Sequence, residues 1–387
     1  MSRSGDSPTA AHAERVLRLI RERIAAAGGW LPFSTFMELA LYAPGLGYYS
    51  AGSVKLGAAG DFVTAPEVSD LFSACVARQC APVLATTGGG VLELGAGTGR
   101  MAGTVLETLD ALGALPDRYL ILEVSADLRE RQQARLAALP GKLRERVQWL
   151  DRLPEKPVRG VLLANEVLDA LPVERFVVRA RAMRALGVSL GPDDMLIARE
   201  HPADRELAAA GAALLEALPH SLPEGYVSEL SLRVAPWLAA LGERFAQGVM
   251  LLFDYGLPRA QLYHPQRTQG TLRCHARHSA HDDPFVDVGL QDITAWVDFT
   301  AVAEAASDAG LDVLGFTTQA AFLLGTGIES LVAAGEPSAV ERARRAGEAC
   351  RLLLPGEMGE AFKVMALGVG YDRALAGFEV RDLRDSL

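Results

Sequence analysis

The pattern of hydrophobic positions has a helical period over the first part of the chain. Apolar residues recur every three to four positions in residues 9–27, 34–41 and 68–86, which predicts three helices. Residues 45–66 between them are rich in glycine and aromatic side chains and show no period, which predicts an ordered loop region. We therefore expect residues 1–86 to form an N-terminal helical and loop segment that contributes to the active site.

From about residue 89 the pattern changes to short apolar runs separated by helical stretches. This alternation is typical of a parallel sheet with helices on both faces. Two stretches interrupt it: a long insertion at about 172–230, whose first part resembles a hairpin, and a helical insertion at about 320–352. An α/β domain over residues 87–387 is the prediction. The runs expected to be its strands are 91–94, 119–124, 147–150, 160–164, 249–253, 313–317 and 361–367.

Composition and charge narrow the class of protein. The formal net charge is −10 and no dense run of Lys and Arg is present, which argues against nucleic-acid binding. No apolar run approaches the roughly 18 residues that span a bilayer, and the N-terminus has no apolar signal region. We expect a cytoplasmic protein without membrane insertion. The four cysteines are scattered, which favours neither a zinc ribbon nor a disulfide framework, and the oligomeric state stays open.

The first candidate site is a glycine-rich turn directly after the first apolar run. Glu93 lies in that run, and Gly95, Gly97 and Gly99 follow it with the spacing G-x-G-x-G. Dinucleotide oxidoreductases use G-x-G-x-x-G instead, with a helix end that cradles a pyrophosphate. The shorter spacing is typical of class I methyltransferases that bind S-adenosylmethionine. Glu123 ends the second run, where an acidic residue accepts the ribose hydroxyls in nucleotide-binding folds.

A second group of polar residues follows the fourth apolar run. Asn165, Glu166 and Asp169 stand where the strand-four exit of a class I methyltransferase faces the methyl group and its acceptor. A carboxylate there can bind a guanidinium, which presents its donors in a planar fork. Glu166 and Asn165 are thus candidates for acceptor binding. For Asp169 the alternative, that it caps a following helix, stays open.

Several segments of the chain resemble the MidA family of class I methyltransferases, which includes mitochondrial complex I assembly methyltransferases and their bacterial relatives. The similarity extends from about residue 30 to about residue 370. Two departures are visible: Ala96 and Thr98 replace residues that are often Pro and Arg in relatives, and residues 273–283 are one residue longer than usual. The segments that carry the resemblance are 60–67, 93–99, 164–172, 253–256, His278 with 283–284, 292–299 and 358–364.

The resemblance implies a Rossmann-like fold with a mostly parallel seven-stranded sheet, an N-terminal helical segment, and insertions after strands four and six. It also implies S-adenosylmethionine as cofactor and methylation of a protein arginine side chain, by analogy a subunit of a respiratory complex. Carried over to this chain, the catalytic candidates are Glu166, Asn165, Asp61 and Glu67, and the cofactor-binding candidates are Glu93, Gly95, Gly97, Gly99, Glu123 and Asn165. The candidates for substrate binding are Thr64, Asp169, Asp254, Tyr255 and His278.

Four other interpretations compete with this one. A non-catalytic assembly factor or chaperone could retain the same cofactor-binding fold. A nicotinamide oxidoreductase is disfavoured by the glycine spacing. Residues 187–191 match G-x-S-x-G, but a turn follows them where a serine hydrolase needs a helix. His275, His278 and His281 could hold zinc, yet we expect an irregular polar loop over the active site there and no metal.

Overall fold

A computed structural model of the chain describes residues 8–50, 64–276, 279–335 and 338–387. Its α-helices lie before, between and after the strands of the first half of the chain and cover both faces of a central sheet. The helices are α1 (Pro8–Ala26), α2 (Phe33–Tyr42), α3 (Ala65–Val68), α4 (Asp70–Thr87), α5 (Arg100–Ala111), α6 (Ala126–Leu136), α7 (Gly141–Arg144), α8 (Arg205–Ala217), α9 (Val234–Glu243), α10 (Arg259–Leu262), α11 (Phe299–Asp308), α12 (Gln319–Gly325), α13 (Ile328–Ala333) and α14 (Ala339–Leu353).

The strands fall into one large central sheet and two smaller sheets. Seven of them coincide with the seven predicted apolar runs to within a few residues. The strands are β1 (Trp30–Leu31), β2 (Gly90–Leu94), β3 (Tyr119–Leu122), β4 (Val147–Leu150), β5 (Val158–Asn165), β6 (Glu174–Arg179), β7 (Ala182–Leu190), β8 (Leu196–Pro202), β9 (Val227–Leu230), β10 (Phe245–Leu257), β11 (Arg273–Ala276), β12 (Ser279–His281), β13 (Asp292–Thr294), β14 (Val297–Asp298), β15 (Asp312–Thr318) and β16 (Phe362–Val369).

The central sheet has the strand order β15-β16-β10-β5-β2-β3-β4, and β14 pairs with β10 beside it. Strands β4, β3, β2, β5 and β10 run parallel, whereas β16 runs antiparallel to both of its neighbours. The expected α/β architecture is present. The expected count of seven strands is corrected, because the two-residue β14 adds an eighth strand, parallel to β10. The sheet is mixed because β16 is antiparallel to its neighbours.

Helices cover both faces of the central sheet, which explains why its inner strands are almost wholly apolar. In β10, Val249, Leu251 and Phe253 point to one face, and Met250 and Leu252 point to the other. Side chains of α4, α5, α12 and α14 cover the first face, and those of α9 and α11 cover the second. Because the parallel strands all run in the same direction, the polar residues that follow them meet at a single edge of the sheet.

The insertion after the fourth central strand folds into a second, five-stranded sheet. It has the order β1-β7-β6-β9, with β8 paired to β7, and these four pairings are all antiparallel. Strand β1 joins this sheet from the N-terminal segment. The predicted hairpin at 175–188 is the β6–β7 pair. The apolar pattern of residues 228–245 predicts a helix, and this prediction is wrong at its start, because residues up to Leu230 belong to β9 and α9 begins only at Val234. Helices α1 and α2 pack on this sheet in one apolar cluster.

A third sheet, in the order β12-β11-β13, holds the segment expected to be an irregular polar loop. That expectation is corrected, because β11 and β12 pair as an antiparallel hairpin that includes His275 and His281. His278 lies outside the described residues. Within the described ranges, no group of three His, Cys, Asp or Glu side chains is placed to hold a metal ion. None of the described helices is long and apolar enough to cross a membrane.

Candidate functional site

The glycine turn joins β2 to α5 at the carboxyl edge of the central sheet. Gly95, Gly97 and Gly99 have φ angles of +64°, +55° and +80°, which side chains with a Cβ adopt only at a cost. At Gly99 a Cβ would also lie 3.3 Å from the Cα of Gln132. Helix α5 begins at the next residue, Arg100, so its free backbone N–H groups face this edge. The turn thus leaves open backbone for a ligand at the sheet edge.

Glu123 lies at the end of β3 and is held by two donors. Its Oε1 accepts the backbone N–H of Ser125 at 2.9 Å, and its Oε2 accepts Nε2 of Gln132 at 2.9 Å. The same Gln132 amide donates to the carbonyl oxygen of Gly97 at 3.0 Å, and its Oε1 accepts the Trp149 indole N–H at 2.9 Å. Each carboxylate oxygen of Glu123 retains capacity to accept a further hydroxyl. One buried glutamine thereby couples the glycine turn to the acidic residue.

Glu93 is fully buried in β2, directly before the glycine turn. Its Oε2 accepts the Tyr119 hydroxyl at 2.7 Å, while its buried Oε1 has no hydrogen-bond partner among the described residues. Burial raises the pKa of this carboxyl to about 7, against the lowering effect of the Tyr119 hydroxyl. An unsatisfied buried oxygen at the wall of a pocket is a place where a ligand donor would be favourable.

Helix α3 and the start of α4 are fastened to the glycine turn. The Thr98 hydroxyl donates to Glu67, and Arg100 Nη1 donates to the carbonyl oxygen of Glu67 at 2.7 Å. Arg100 Nε also reaches Asp70 Oδ1 at 2.9 Å. We call this group of four residues the clasp. Glu67 is one of the predicted catalytic residues, and the structure places it both in the pocket lining and in the clasp, where it contacts the glycine turn.

Glu166 lies at the end of β5 in an unusual backbone conformation. Its φ is +54°, a region that residues with a Cβ seldom occupy, and its N–H donates to the carbonyl oxygen of Phe253 at 2.8 Å. Asn165 Nδ2 donates to Glu166 Oε1 at 3.2 Å. The other end of the amide, Asn165 Oδ1, is buried and has no hydrogen-bond partner among the described residues. Burial, and next the charge of Asp169, raise the pKa of Glu166 to about 8.

Asp254 holds the turn that follows Glu166. Its Oδ2 accepts the backbone N–H groups of Val167, Leu168 and Asp169 at 3.2, 2.9 and 3.3 Å. No helix begins at this turn, so the alternative in which Asp169 caps one is wrong. Burial, followed by the charges of Asp169 and Glu166, raises the pKa of Asp254 well above its ordinary value. Asp254 therefore fixes the backbone from behind the site.

Two tyrosines of the N-terminal segment form the wall across from this turn. The rings of Tyr42 and Tyr49 stack with centroids 5.4 Å apart. The Tyr42 hydroxyl donates to the carbonyl oxygen of Ala170 at 2.9 Å, and the Tyr49 hydroxyl donates to Asp292 Oδ1 at 2.9 Å. Aromatic faces beside carboxyl groups provide an environment that suits an organic cation.

One pocket of about 250 Å³ joins these parts. Among the predicted site residues, Asp169, Asp254 and Tyr255 lie behind its wall, and Gly99 supports the turn without lining the cavity. Asp61 and His278 lie outside the described residues. The predicted residues that do line the pocket are Thr64, Glu67, Glu93, Gly95, Gly97, Glu123, Asn165 and Glu166.

The three aromatic residues that line the pocket were missed by the sequence interpretation: Tyr42, Tyr49 and Trp237. Tyr49 belongs to the aromatic-rich block at 45–66, so its position carried a weak signal. Tyr42 ends a helix whose pattern predicts only burial. Trp237 lies in α9. The preceding predicted site residue is Asp169, more than 60 positions earlier in the chain, and no local motif marks Trp237.

The family comparison settles which fold family this pocket belongs to. A family model described as "Putative S-adenosyl-L-methionine-dependent methyltransferase" matches residues 75–317. The chain belongs to this family. The MidA resemblance stated from the sequence motifs is thereby confirmed. Its cofactor is S-adenosylmethionine, and the left-handed glycine turn, the two accepting oxygens of Glu123 and the unpaired Glu93 Oε1 fit that molecule.

Solved structures and curated relatives agree with the family. A Burkholderia thailandensis protein whose crystal structure holds S-adenosyl-homocysteine is 43% identical, with a TM-score of 0.94 and full coverage of both chains. "Protein arginine methyltransferase NDUFAF7, mitochondrial" from Danio rerio is 27% identical over 91% of this chain and 86% of its own length. The Homo sapiens protein of the same name is 27% identical over 99% of this chain and 90% of its own.

Proposed function

We propose that this methyltransferase transfers its methyl group to an arginine side chain of a protein. The observation that carries the proposal is a group of acidic side chains beside the cofactor pocket. The charge of Asp169 raises the pKa of Glu166, and the charges of Asp169 and Glu166 both raise the pKa of Asp254. In the described part of the chain none of the three forms an ion pair with Lys or Arg. Carboxyl groups held together without a counterion favour a cationic ligand.

A buried acceptor oxygen in the pocket wall adds to this preference. Asn165 lines the pocket, and its buried Oδ1 has no hydrogen-bond partner among the described residues. A guanidinium carries five N–H donors in a plane and has no acceptor, so it matches a site whose free groups are acceptors. An ammonium offers the same charge with three donors and a compact shape. The stacked Tyr42 and Tyr49 rings favour the planar cation.

The chemistry asks the protein mainly to align the acceptor and to exclude water. S-adenosylmethionine supplies an electrophilic methyl group on a sulfonium, which is a good leaving group. A guanidinium is protonated at neutral pH, so its nitrogen lone pairs are poor nucleophiles. We infer that ionised Glu166 holds the guanidinium, draws positive charge away from the attacking nitrogen and takes up the proton that this nitrogen loses. Asn165 Oδ1 orients a second N–H.

The names of the curated relatives support the same acceptor. The Danio rerio and Homo sapiens proteins are both named protein arginine methyltransferases, at 27% identity. Identity at that level supports the class of reaction more strongly than the acceptor, which is why the acidic group beside the pocket carries the proposal.

The experiment is transfer of a radiolabelled methyl group to the proteins of a lysate from cells that lack this gene. Acid hydrolysis followed by amino-acid chromatography identifies the labelled residue. We expect label in methylarginine. Label in another amino acid would overturn the acceptor, and binding of the cofactor without any transfer would favour the non-catalytic assembly factor. Glu123→Ala, which removes the ribose acceptor, is the inactive control.

A further inference from the structure

A groove of about 390 Å³ opens beside the cofactor pocket. It lies between the N-terminal segment, the turn after β5 and the start of α9. Nothing in the proposed chemistry uses it. The groove is lined by Glu38, Tyr42, Leu171, Pro172, Arg233, Pro236 and Trp237.

The groove and the cofactor pocket share two walls. Tyr42 and Trp237 line both cavities, so the two rings flank the passage between them. Tyr42 is tied through its hydroxyl to Ala170, four residues beyond Glu166. A peptide bound in the groove would therefore lie next to the entrance of the cofactor pocket, which Glu166 lines.

The groove differs in charge from the pocket. Its two charged residues, Glu38 and Arg233, pair with each other at 3.0 Å and are both about half exposed, so the lining has no net charge. The remaining lining residues are aromatic, aliphatic or proline. Partly exposed tryptophan and tyrosine beside prolines are typical of surfaces that bind a polypeptide segment.

We propose that the groove binds the segment of the acceptor protein that flanks the methylated residue, and that it selects an apolar side chain next to that residue. This inference rests on the proposed function, since it takes the pocket as the acceptor site. The pocket selects the cation and the groove selects its neighbours. A basic flanking residue would leave a charge over apolar walls without a counterion, because Glu38 is already paired.

The test uses an oriented library of nonapeptides with a central arginine and degenerate flanks, methylated with a radiolabelled cofactor and sequenced. We expect wild-type protein to enrich apolar residues beside the arginine about tenfold over charged ones, since burying one large apolar side chain is worth about that factor. Trp237→Ala should remove most of the enrichment. Trp30→Ala is the matched control, because Trp30 lies on the second sheet and lines neither cavity.

A second variant keeps the test independent of any damage to the fold. Pro236 is exposed, lines the groove and does not line the cofactor pocket. Pro236→Glu should therefore bind S-adenosyl-homocysteine as the wild type does, while shifting the preferred neighbour from apolar to basic. A flank preference that is absent, or that neither variant changes, would overturn the groove and leave arginine methylation intact.

Two further outcomes separate the proposals. Labelling of a lysine-centred library in place of the arginine library would overturn arginine as the acceptor. The residues enriched beside the central lysine would then test the groove. Labelling of lysate proteins without labelling of any peptide library would overturn binding of a linear segment. Light scattering tests the other occupant: a dimer that Pro236→Glu dissociates would assign the groove to a second copy of this chain.

Discussion

Gln132 donates its side-chain amide to Glu123 Oε2 across 2.9 Å, and this contact joins the two halves of the cofactor site. The same nitrogen donates to the carbonyl oxygen of Gly97. Gln132 has no exposed surface, and the Trp149 indole N–H fixes which end of its amide is the oxygen. The glutamine thus orients the acidic residue and the glycine turn together. No motif in the sequence marks Gln132 for this role.

Replacing Gln132 with Leu should weaken cofactor binding. The variant leaves the Gly97 carbonyl and the Trp149 N–H without their partner and removes one of the two donors that hold the Glu123 carboxylate. We therefore expect the Kd for S-adenosyl-homocysteine to rise about tenfold or more. Isothermal titration with 5′-methylthioadenosine should show the same factor, because both ligands carry the ribose. A loss confined to S-adenosyl-homocysteine would contradict this role.

Asp254 should contribute to stability more than to binding. Asp254→Ala leaves the three N–H groups of residues 167–169 without an acceptor, and we expect the free energy of unfolding to fall by about 2–4 kcal/mol. Asp254→Asn keeps one carbonyl acceptor and should lose less. Urea denaturation followed by circular dichroism measures both. Equal losses in the two variants would show that the side-chain oxygen does not hold the turn.

The clasp should govern how firmly the N-terminal segment lies on the glycine turn. Arg100→Ala removes the bonds to the Glu67 carbonyl and to Asp70, and a charged hydrogen bond is worth about 1.5–3 kcal/mol. Hydrogen exchange of amides in residues 64–70 should therefore accelerate about tenfold. Arg179→Ala, which breaks an ion pair in the second sheet, is the control. Unchanged exchange in Arg100→Ala would refute the clasp.

The stability of the ligand-free protein should fall as the pH rises from about 5 to above 8. The pKa of Glu166 is raised from 4.5 to about 8, so the folded state binds a proton through this window that the unfolded state has already lost. The proton on Glu166 stabilises the folded state fully below the pKa that Glu166 has in the unfolded chain. This stabilisation is lost as the pH rises through the pKa that Glu166 has in the folded protein. Glu166→Gln should flatten the dependence of Tm on pH. A variant with the wild-type slope would contradict the raised pKa.

The sequence predicts the parts of this molecule that depend on neighbours along the chain. The apolar runs became the central strands because a strand buried on both faces needs a continuous apolar stretch. The glycine turn was equally predictable, since Gly95, Gly97 and Gly99 all take positive φ. The predicted strand ends also placed Glu123 and Glu166 correctly at one edge, because parallel strands bring their carboxyl ends together.

The remaining features depend on contacts between distant segments. Tyr49 meets Asp292 across 243 positions of the chain, and no period or motif encodes that distance. Of the second sheet only the β6–β7 hairpin was predicted, and β1 was missed because Trp30–Leu31 pairs with a strand more than 150 residues away. Asp254 was expected to bind substrate because its segment, 253–256, resembles that of the MidA family. Its side chain instead turns toward three backbone N–H groups, and sequence pattern does not specify that direction.

The central claim is that Glu123 and the glycine turn hold the cofactor whereas Glu166 handles the acceptor. The most direct measurement compares, in one preparation of Glu166→Gln, the Kd for S-adenosyl-homocysteine with the rate of methyl transfer to lysate proteins. We predict a Kd within about twofold of the wild type and a transfer rate lowered at least a hundredfold, the loss typical of removing a catalytic acid or base. Full-rate transfer with unchanged binding would contradict the account.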